Sequence, residues 1–451
     1  MTSTEKLNGR PLEIAVIGTG ISGMSAAWLL SQRHSVTVYE QAGRIGGHSN
    51  TVDVPQRQGS VPVDTGFIVY NEVTYPNLTA LFKYLEVPTK ASDMSFAVSL
   101  DDGRVEYAAR DLRSLLARPR NLFSPRFWSM AVDLVRFYRQ AAKDISPSDS
   151  ELITLGDYLD AEGYGEAFQK DHLLPQAAAI WSASPDEIRD YPACAFVRFF
   201  ENHGLLKFVQ RPQWRTVEGG SRTYVEKLTA GYRDRVRAGC AARAVARTPE
   251  GVMVRDASGR VQRFDEVVIA THGDQALALL SDASAEEREI LGSFRYARNH
   301  AVLHTDPSLM PSRRGLWTSW NYVGRSAGSD VCSVTYWMNL LQDLKTDEPV
   351  FLTLNPGREP RQDRVITTEV YDHPLFDAAA VRAQRRAWSL QGVRNTWFCG
   401  AHFGSGFHED GLQSGLAVAE QLGGVRRPWN VAGESDRIWL TPPVPRVDVA
   451  A

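Results

Sequence analysis

Residues 12–40, LEIAVIGTGISGMSAAWLLSQRHSVTVYE, decide the fold of this chain. The apolar run LEIAVI predicts a short buried strand, and the apolar positions of MSAAWLLSQR recur at helical spacing. SVTVYE alternates like a second strand and ends in an acid. Because the glycine-rich GTGISG joins the first strand to the helix, the stretch predicts a strand, a tight turn, a helix and a second strand.

The glycines of GTGISG have separate physical roles in such a turn. Gly18 permits the tight turn, Gly20 lets backbone approach a pyrophosphate, and Gly23 allows close packing of the helix on the strand. Ile21 and Ser22 open the helix, where free N–H groups and the positive end of the helix dipole favour phosphate. The alternative for this motif taken alone is a glycine-rich turn without a ligand.

The acid that ends the second strand supports the ligand hypothesis. Glu40 comes where a carboxylate would accept hydrogen bonds from a ribose, and Gln41 follows it. With strand, helix, strand and acid all in place, the sequence predicts a bound dinucleotide.

Which dinucleotide is bound depends on the next stretch, QAGRIGGHSNTV. Arg44, Gly46, Gly47 and His48 follow the acidic strand, and a simple NAD site has no need of a second glycine pair there. A surface turn with a solvated arginine is the alternative. R-x-G-G just after a Rossmann glutamate resembles the second FAD signature of the flavin amine-oxidase superfamily, whose arginine and glycines lie along the pyrophosphate and ribityl chain. The resemblance implies FAD as the cofactor.

The stretch FCGAHFGSGFHEDGLQSGLAV, residues 398–418, has the parts needed to close such a site over the flavin ring. It predicts a strand ending at Gly400, a flexible loop and a helix starting near Asp410. Backbone N–H groups of Gly411 and Leu412 would then face the flavin oxygen that gains charge on reduction. The alternative is that Asp410 is only an N-cap and that the glycines only shape a loop.

One departure from the superfamily lies in the same stretch. Many members carry an acid directly after the glycine of this strand, in contact with the ribityl hydroxyls, whereas this chain has Ala401 and His402. The superfamily also passes a segment beside the flavin that corresponds to Thr65, Gly66 and Phe67. These residues join the predicted cofactor site, and a further member is Ala242.

Four longer strings narrow the resemblance: VDTGFIVYNEVTYPNL, SDMSFAVSLDDGRVEY, RPQWRTVEGGSRTYV and GFHEDGLQSG. Together with the two glycine motifs they resemble the N-terminal flavin-oxidoreductase portion of plant cyclopropane fatty acid synthases and its free-standing bacterial relatives, from about residue 12 to residue 423. The resemblance implies an FAD protein linked to the modification of unsaturated or methyl-branched acyl chains.

A chain of 451 residues exceeds what one hydrophobic core normally holds. The predicted fold is α/β, with a Rossmann-like FAD-binding domain interleaved with a second α+β substrate domain, as in amine oxidases. The substrate domain combines a mostly helical insertion with a β-sheet. The predicted boundaries are 11–71, 216–290 and 392–425 for the FAD-binding domain, 72–215 and 291–391 for the substrate domain, and 426–451 for a loosely packed C-terminal extension.

Composition excludes several classes of function. A net charge of -3 argues against a nucleic-acid partner. Four cysteines lie far apart without CxxC spacing, so neither a metal site nor a disulfide framework is predicted. The polar N-terminus is no secretory signal, and no apolar run reaches bilayer-spanning length. We therefore expect a cytoplasmic protein.

The segment from Arg110 to Lys143 suggests one further partner. Its eight basic and two acidic residues are interleaved with LL, LF, FW and FY. Such a segment suits peripheral docking on anionic lipid at the inner membrane surface, and a solvated helix face is the alternative.

The leading hypothesis for function is an FAD-dependent oxidoreductase. It would desaturate or dehydrogenate an unsaturated, methylated or cyclopropanated fatty acyl chain by hydride transfer to flavin N5. His402 and Phe67 are the catalytic candidates. Three alternatives stay open: a flavin-dependent acyl double-bond isomerase, an amine oxidase acting on a small molecule, and a flavin-binding partner subunit of an acyl-modifying methyltransferase.

Overall fold

The computed structural model describes residues 10–108, 121, 123–145, 153–202, 204–207, 212–324 and 333–440. Within this part of the chain the strands are β1 (Glu13–Ile17), β2 (Ser35–Tyr39), β3 (Thr51–Pro55), β4 (Ser60–Asp64), β5 (Tyr70–Asn71), β6 (Thr89–Ser92), β7 (Phe96–Leu100), β8 (Val105–Ala108), β9 (Trp214–Val217), β10 (Val236–Arg237), β11 (Ala242–Thr248), β12 (Gly251–Asp256), β13 (Val261–Phe264), β14 (Glu266–Ile269), β15 (Arg295–His304), β16 (Trp320–Gly324), β17 (Val334–Trp337), β18 (Phe351–Leu354), β19 (Val365–Leu375) and β20 (Thr396–Phe398).

The α-helices of the same residues are α1 (Ile21–Leu30), α2 (Pro76–Tyr84), α3 (Pro125–Asp144), α4 (Leu155–Ala161), α5 (Glu166–Phe168), α6 (Leu174–Trp181), α7 (Pro185–Arg189), α8 (Ala193–Asn202), α9 (Arg222–Thr229), α10 (Gly273–Leu279), α11 (Ala285–Leu291), α12 (Met338–Leu341), α13 (Ala378–Ala387) and α14 (His408–Gly423). A π-helical turn, Gln169–Leu173, joins α5 to α6. Short 3₁₀ segments are Ala230–Arg235, Pro307–Leu309, Arg314–Leu316, Gln362–Arg364, Trp388–Leu390 and Ala401–Phe403. In the part of the chain described here, every helix is too short or too polar to cross a membrane.

A five-stranded parallel sheet carries the dinucleotide motif. Its strand order is β10-β2-β1-β14-β20, and every neighbouring pair is parallel. The central strands β1 and β14 are nearly continuous apolar runs, as expected of strands covered on both faces. The predicted strand, turn, helix and strand of residues 12–40 are confirmed. Ligands of such sheets bind beyond the carboxyl ends of the strands, so this edge locates the candidate site.

The turn after β1 has the conformation predicted for the glycine motif. Gly18 has φ +103°, its N–H donates to the Tyr39 carbonyl at 2.8 Å, and a Cβ there would lie 2.7 Å from the Ala270 carbonyl oxygen. A Cβ at Gly23 would lie 2.1 Å from the Gly18 carbonyl oxygen. Side chains are therefore excluded at both positions, which brings α1 directly onto the turn.

A seven-stranded sheet, ordered β19-β15-β18-β17-β16-β7-β8, forms the second layer of β-structure. Its strands between residues 295 and 375 confirm the β-sheet that was predicted for the substrate domain. Strands β6, β7 and β8 lie within residues 72–215, the part of the substrate domain that was predicted to be a mostly helical insertion, so this expectation is wrong for residues 89–92 and 96–108. The alternation of Phe96, Val98 and Leu100 was the missed signal. Helices α3 to α8 confirm the helical character of the described residues between 125 and 202, and the domain boundaries stay a prediction.

A buried carboxylate connects the two layers. Asp64 at the end of β4 accepts hydrogen bonds from the Ser221 N–H at 2.9 Å, the Thr51 hydroxyl at 2.6 Å and the Gln342 amide at 2.8 Å. Its own N–H donates to Gln342 Oε1 at 2.9 Å. Burial raises the pKa of Asp64, and these donors offset that effect by stabilising the charged form.

The C-terminal segment 426–440 is well packed, so the predicted loose extension is wrong for these residues; residues 441–451 lie outside the described chain. Arg427 is fully buried and donates to both carboxylate oxygens of Glu420, at 2.7 and 2.9 Å, and to Asn77 Oδ1 at 2.9 Å. Trp429 stacks on Trp28 of α1, with ring centroids 5.9 Å apart. The polar, proline-rich composition concealed these anchors, because each depends on a distant partner.

Helices α1 and α14 pack at backbone distance. A Cβ at Gly415 would lie 2.2 Å from the Ser22 carbonyl oxygen and 2.4 Å from Ser25 Oγ, and a Cβ at Gly411 would lie 2.9 Å from Ile21 Cγ2. The absence of side chains at these two glycines lets the whole apolar surface of α1 be buried. The start of α14 is thereby fixed beside the start of α1.

This contact predicts the effect of a single methyl group. Gly415→Ala should lower the free energy of unfolding by about 1–3 kcal/mol, because overpacking outweighs the gain in helix propensity. Gly231→Ala is the matched control, since a Cβ there would meet nothing within 4 Å. Urea unfolding of the two variants should separate them, and equal midpoints would show that the α1–α14 contact tolerates a methyl group.

Candidate functional site

The start of α1 offers an open site for phosphate. Gly20 is the N-cap, no side chain caps the helix, and its first turn holds no acid. A Cβ at Gly20 would meet nothing within 4 Å, so open space lies against the helix end. The N–H groups of Ile21, Ser22 and Gly23 have no acceptor within the helix. These donors and the helix dipole suit the pyrophosphate of a dinucleotide.

The predicted ribose ligand supports the same turn from β2. Glu40 Oε2 accepts the Thr19 N–H at 3.0 Å and the Thr19 hydroxyl at 2.5 Å, and Oε1 accepts the Ala42 N–H at 2.8 Å. Gln41 is exposed beside it. Ala242 starts β11, shortly after the Cys240 N–H that donates to the Glu40 carbonyl at 2.8 Å. Gln41 and Ala242 thus lie close to Glu40 at the end of β2, and the contacts of these residues with a ribose stay a prediction.

The second glycine motif lies against the first. The Gly46 N–H donates to the Thr19 carbonyl at 3.1 Å, and a Cβ at Gly47 would lie 2.9 Å from the Gly20 Cα. Arg44 is exposed and donates to the Gly47 carbonyl at 2.7 Å. The loop thus extends the phosphate site away from Glu40 and toward His48.

The segment predicted to pass beside the flavin packs directly on this loop. The Phe67 N–H donates to the His48 carbonyl at 2.7 Å, and a Cβ at Gly66 would lie 2.1 Å from the same oxygen. The Thr65 N–H donates to the Asn50 carbonyl at 2.9 Å. Residues 48–50 and residues 65–67 therefore pack against each other and form one wall of the site.

Phe67 stacks on the first residue of α14. Its ring centroid lies 3.8 Å from that of His408, with 10° between the planes. His408 Nε2 lies 2.8 Å from the Tyr224 hydroxyl and 3.1 Å from Ser49 Oγ. Burial lowers the pKa of His408 to about 3, so the ring is neutral at pH 7. Phe67 acts in this structure as a packing partner of His408, and its catalytic role stays a prediction.

His402, the other catalytic candidate, is buried beside the end of β20. Its ring lies 4.7 Å from Phe294 and 5.0 Å from Phe403, between ring centroids. A Cβ at Gly400 would lie 2.5 Å from the His402 ring, and Ala401 is half-buried between them. Burial lowers the pKa of His402 to about 3. Within the described chain its buried Nε2 has no hydrogen-bond partner, so this atom is available to a ligand.

Three residues near the predicted His48, namely His272, Tyr371 and His373, escaped the sequence analysis. His48 was assigned only to the cofactor loop, yet its ring lies 4.8 Å from Tyr371 and 5.3 Å from His373. His272 stacks on Tyr296 at 4.2 Å. His272 lies shortly after β14, which ends at Ile269, and its place near the carboxyl end of a strand could have revealed it. Tyr371 and His373 come from β19, and no motif pointed to them.

The imidazoles of this region are kept neutral. Burial is the main cause that lowers the pKa of His48, with the neighbouring His373 as the next cause. Burial likewise lowers the pKa of His373 to about 4 and lowers that of His272. The buried Nε2 of His48 has no partner among the described residues. No group of three or more His, Cys, Asp or Glu in the described chain is arranged to hold a metal ion.

The start of α14 corrects one prediction. The helix begins at His408 and Phe407 is its N-cap residue. Asp410, in the first turn, accepts the Phe407 N–H at 2.8 Å. The Gly411 N–H donates to the Phe407 carbonyl at 3.1 Å, and Leu412 is fully buried. The N–H groups that lack an acceptor within the helix belong to residues 408–410, so the assignment of free donors to Gly411 and Leu412 is wrong.

Both acids at the start of α14 are bonded to other parts of the protein. Asp410 lies 3.4 Å from the Arg437 guanidinium, and burial raises the pKa of this carboxyl. Glu409 accepts the N–H groups of Asn77 and Leu78, each at 3.0 Å. The C-terminal segment therefore holds the first turn of α14 through Arg437.

The residues present fit FAD. The N-terminus of α1 is open at Gly20, and the loop that contains Gly46 and Gly47 lies next to it. The buried Nε2 atoms of His48 and His402 have no hydrogen-bond partner among the described residues. The α1 turn would hold the pyrophosphate, Glu40 and Arg44 the adenosine half and linker, and the walls at Phe67 and His408 the ring. Bound FAD supplies a two-electron acceptor, and the chain positions it and excludes water.

The buried histidines predict acid lability. Their pKa values are lowered in the folded protein, so the unfolded chain binds more protons below pH 6.5, and stability is lost as pH falls from 6.5 toward 4. Each histidine should remove up to about 1.4 kcal/mol per pH unit in that window. Urea unfolding at several pH values measures the slope. His402→Leu should flatten it, and His300→Gln, at an exposed ring, should not; equal slopes in all three proteins would contradict the assignment.

Because open space lies against Gly20, we predict that a charged side chain at this position abolishes FAD binding without unfolding the protein. Gly20→Asp should keep the fold, because an aspartate suits an N-cap and the helix dipole. Its charge and volume should exclude the pyrophosphate. Purified protein would then lack visible flavin absorbance while its thermal midpoint without FAD stays at or above that of wild-type apoprotein. Gly20→Ala is the milder control, and full FAD retention by the aspartate variant would place the pyrophosphate elsewhere.

Comparison with known proteins agrees with this geometry. Residues 21–302, more than half of the chain, match the family of flavin containing amine oxidoreductases. No curated protein matches the sequence. Similar solved structures include cyclohexylamine oxidase from Brevibacterium oxydans IH-35A, with 18% identity, a TM-score of 0.66 and coverage of 92% of this chain and 100% of that chain.

Two more structures extend the comparison. A fatty acid isomerase from P. acnes has 15% identity and a TM-score of 0.64, over 91% of this chain and 98% of that chain. Wild-type putrescine oxidase bound to putrescine has 14% identity and a TM-score of 0.65, over 92% and 99%. These likenesses confirm the predicted amine-oxidase-like fold. Since the family supplies a flavin and the α1 turn a dinucleotide site, the cofactor is FAD. The chain belongs to the flavin containing amine oxidoreductase family and is an FAD-dependent oxidoreductase with a small-molecule substrate.

Proposed function

We propose that this enzyme dehydrogenates an unsaturated, methylated or cyclopropanated fatty acyl chain. Bound FAD would supply the acceptor for a hydride from one acyl carbon and so take up the electron pair. A basic group of the chain would take a proton from the neighbouring carbon, and a double bond would form between the two carbons. The acyl substrate is suggested by the longer sequence strings, which resemble the flavin portion of cyclopropane fatty acid synthases. This substrate stays a prediction.

The observation that carries the proposal is an aromatic wall next to the start of α14. We define it as Trp181, Tyr191, Phe199, Phe376 and Phe407. Ring centroids lie 4.6 Å apart for Trp181 and Phe199 and 4.8 Å apart for Phe199 and Phe407. Trp181, Tyr191, Phe199 and Phe376 are buried. An apolar lining of this kind would suit a long acyl chain, whose binding is driven by removing its methylenes from water.

The charges around the site argue against a cationic amine. Glu409 and Asp410 are already bonded to Asn77, Leu78 and Arg437, and Asp372 at the edge of the second sheet pairs with Arg298 at 3.1 Å. A buried ammonium would need a carboxylate partner, because an unpaired charge is costly away from water. Each of these carboxylates is engaged within the protein, and the neighbouring imidazoles are neutral.

Neutral imidazoles supply the proton acceptor that dehydrogenation needs. The buried Nε2 atoms of His48 and His402 have no partner in the described chain and can take a proton when their rings are in the Nδ1–H form. His408 is less suited, because its Nε2 is already within hydrogen-bond distance of Tyr224 and Ser49. His402 therefore stays the first candidate and His48 joins it.

Two other reactions are supported by particular observations. A fatty acid isomerase shares the fold, which supports return of the hydride to the acyl chain with a moved double bond and no net oxidation. The family itself is named for amine oxidoreductases, which supports amine oxidation. A partner-subunit role beside a methyltransferase rests on the sequence resemblance alone.

An anaerobic titration separates these reactions. Detergent-dispersed phospholipid with unsaturated or methyl-branched chains should bleach the flavin absorbance of the holoenzyme, and simple amines should not. Phe407→Ala should raise the lipid concentration needed by about tenfold or more, from the loss of about 1.5–3 kcal/mol of apolar burial. Reduction by dithionite should be unchanged in this variant.

Each contrary outcome points to a different reaction. Bleaching by amines alone would replace the acyl proposal with amine oxidation. No bleaching but a moved double bond in the recovered lipid would establish the isomerase. If neither occurs, turnover that appears only with an added acyl-modifying methyltransferase would assign the partner-subunit role. Tyr84→Ala, at a side chain that is 53% exposed and lies outside the aromatic wall, is the control for the loss of an aromatic ring.

A further inference from the structure

We propose that the outward surface of α3 docks on an anionic phospholipid bilayer, which delivers the acyl chain to the enzyme. The inference rests on the acyl substrate proposed above. We define the α3 surface as Phe123, Trp128, Val132, Arg139 and Lys143. Of the basic segment predicted from Arg110 to Lys143, residues 110–120 and 122 lie outside the described chain.

The first half of the α3 surface is apolar and exposed. Phe123, just before the helix, is 84% exposed, Trp128 is 48% exposed and Val132 is 65% exposed. Trp128 and Val132 are neighbours on the helix, because residues four apart share a face. Aromatic side chains are favoured at membrane interfaces, where one part of the ring is apolar and the other is wet.

The second half of the α3 surface is basic. Arg139 and Lys143 are exposed and lie on the same side of the helix as Val132, since positions separated by four or seven residues share a face. The opposite side carries Phe127 and Phe137, which are buried. The helix thus has the amphipathic design of interfacial helices, with apolar anchors followed by cations.

The acids of α3 are withdrawn from this surface. Asp133 accepts the Gly165 N–H at 2.8 Å and pairs with Arg136 at 3.3 Å. Asp144 accepts the Tyr158 hydroxyl at 3.1 Å. The α3 surface is therefore positive without counter-charges of its own. A second copy of the chain would bring another positive surface, whereas an anionic bilayer supplies both negative charge and an apolar layer.

The position of α3 connects the bilayer to the site. Its buried Phe137 belongs to the same core as Phe196 and Phe200 of α8, and the two helices are in contact. Phe199 of α8 contacts Phe407, the residue before α14. A chain leaving the bilayer at α3 would therefore meet the helical layer that carries the aromatic wall.

Vesicle binding by the full-length holoenzyme tests the proposal. Cosedimentation with vesicles of phosphatidylcholine mixed with phosphatidylglycerol should exceed that with phosphatidylcholine alone. It should fall when salt is raised from about 0.1 M to about 1 M, because the Debye length shrinks from about 10 Å to about 3 Å. Arg139→Gln combined with Lys143→Gln should weaken binding about fivefold for each charge removed.

A matched pair of substitutions isolates the apolar anchors. Val132→Glu should weaken vesicle binding by more than about fivefold, because it removes apolar contact and adds repulsion. Val261→Glu adds the same charge at a valine of β13 that is 53% exposed, and this variant should bind vesicles nearly as wild type does. Equal loss in both variants, or no binding by wild type to either vesicle, would overturn the docking proposal.

The remaining outcomes separate docking from function. Sedimentation that shows a dimer of wild type and a monomer of Val132→Glu would assign the α3 surface to a second copy and overturn the bilayer proposal. If vesicles are not bound but detergent-dispersed lipid still bleaches the flavin, docking fails and the acyl reaction stands. Vesicle binding without bleaching by any acyl lipid supports the docking surface and removes the proposed substrate.

Discussion

The backbone contact between α1 and α14 is the constraint on which the site depends. Gly415 has no side chain, so the backbone of α14 lies directly against the Ser22 carbonyl of α1. Gly411 allows the same close approach at Ile21. Both helices start at the carboxyl edge of the parallel sheet. Their N-termini are therefore held together, one beside the phosphate turn and the other beside Phe67, as a dinucleotide with a reactive ring requires.

Burial without free charge distinguishes the ring end of the site from the phosphate end. Around Gly20 the chain offers backbone N–H groups and helix polarity to an anion. Around Phe67 and His408 it offers stacked rings and imidazoles whose pKa values burial lowers. The acids in that region are bonded inward, with Asp410 paired to Arg437 of the C-terminal segment. An uncharged substrate portion suits this end better than a cation does.

Motifs with strict local geometry could be interpreted from sequence, and contacts between distant segments could not. The turn at Gly18 requires its own positive φ, so GTGISG predicted it correctly. A helix starting near Asp410 was predicted correctly, but its free N–H groups were assigned to Gly411 and Leu412, because Asp410 looked like an N-cap and instead accepts the Phe407 N–H from within the helix. Tyr371 and His373 were missed, because only the pairing of β15 with β19 brings them to His48.

The sequence by itself determined the strand, turn, helix and strand of the dinucleotide motif, because glycine spacing and apolar runs act over a few residues, and the resemblance of its second glycine motif to the superfamily implied FAD. Tertiary structure alone decided which side chains meet at the ring end, that the C-terminal segment is an anchor, and that residues 96–108 join the second sheet. The physical reason is that burial, pairing and the lowered pKa of an imidazole depend on neighbours from several distant segments, and no local pattern records those neighbours.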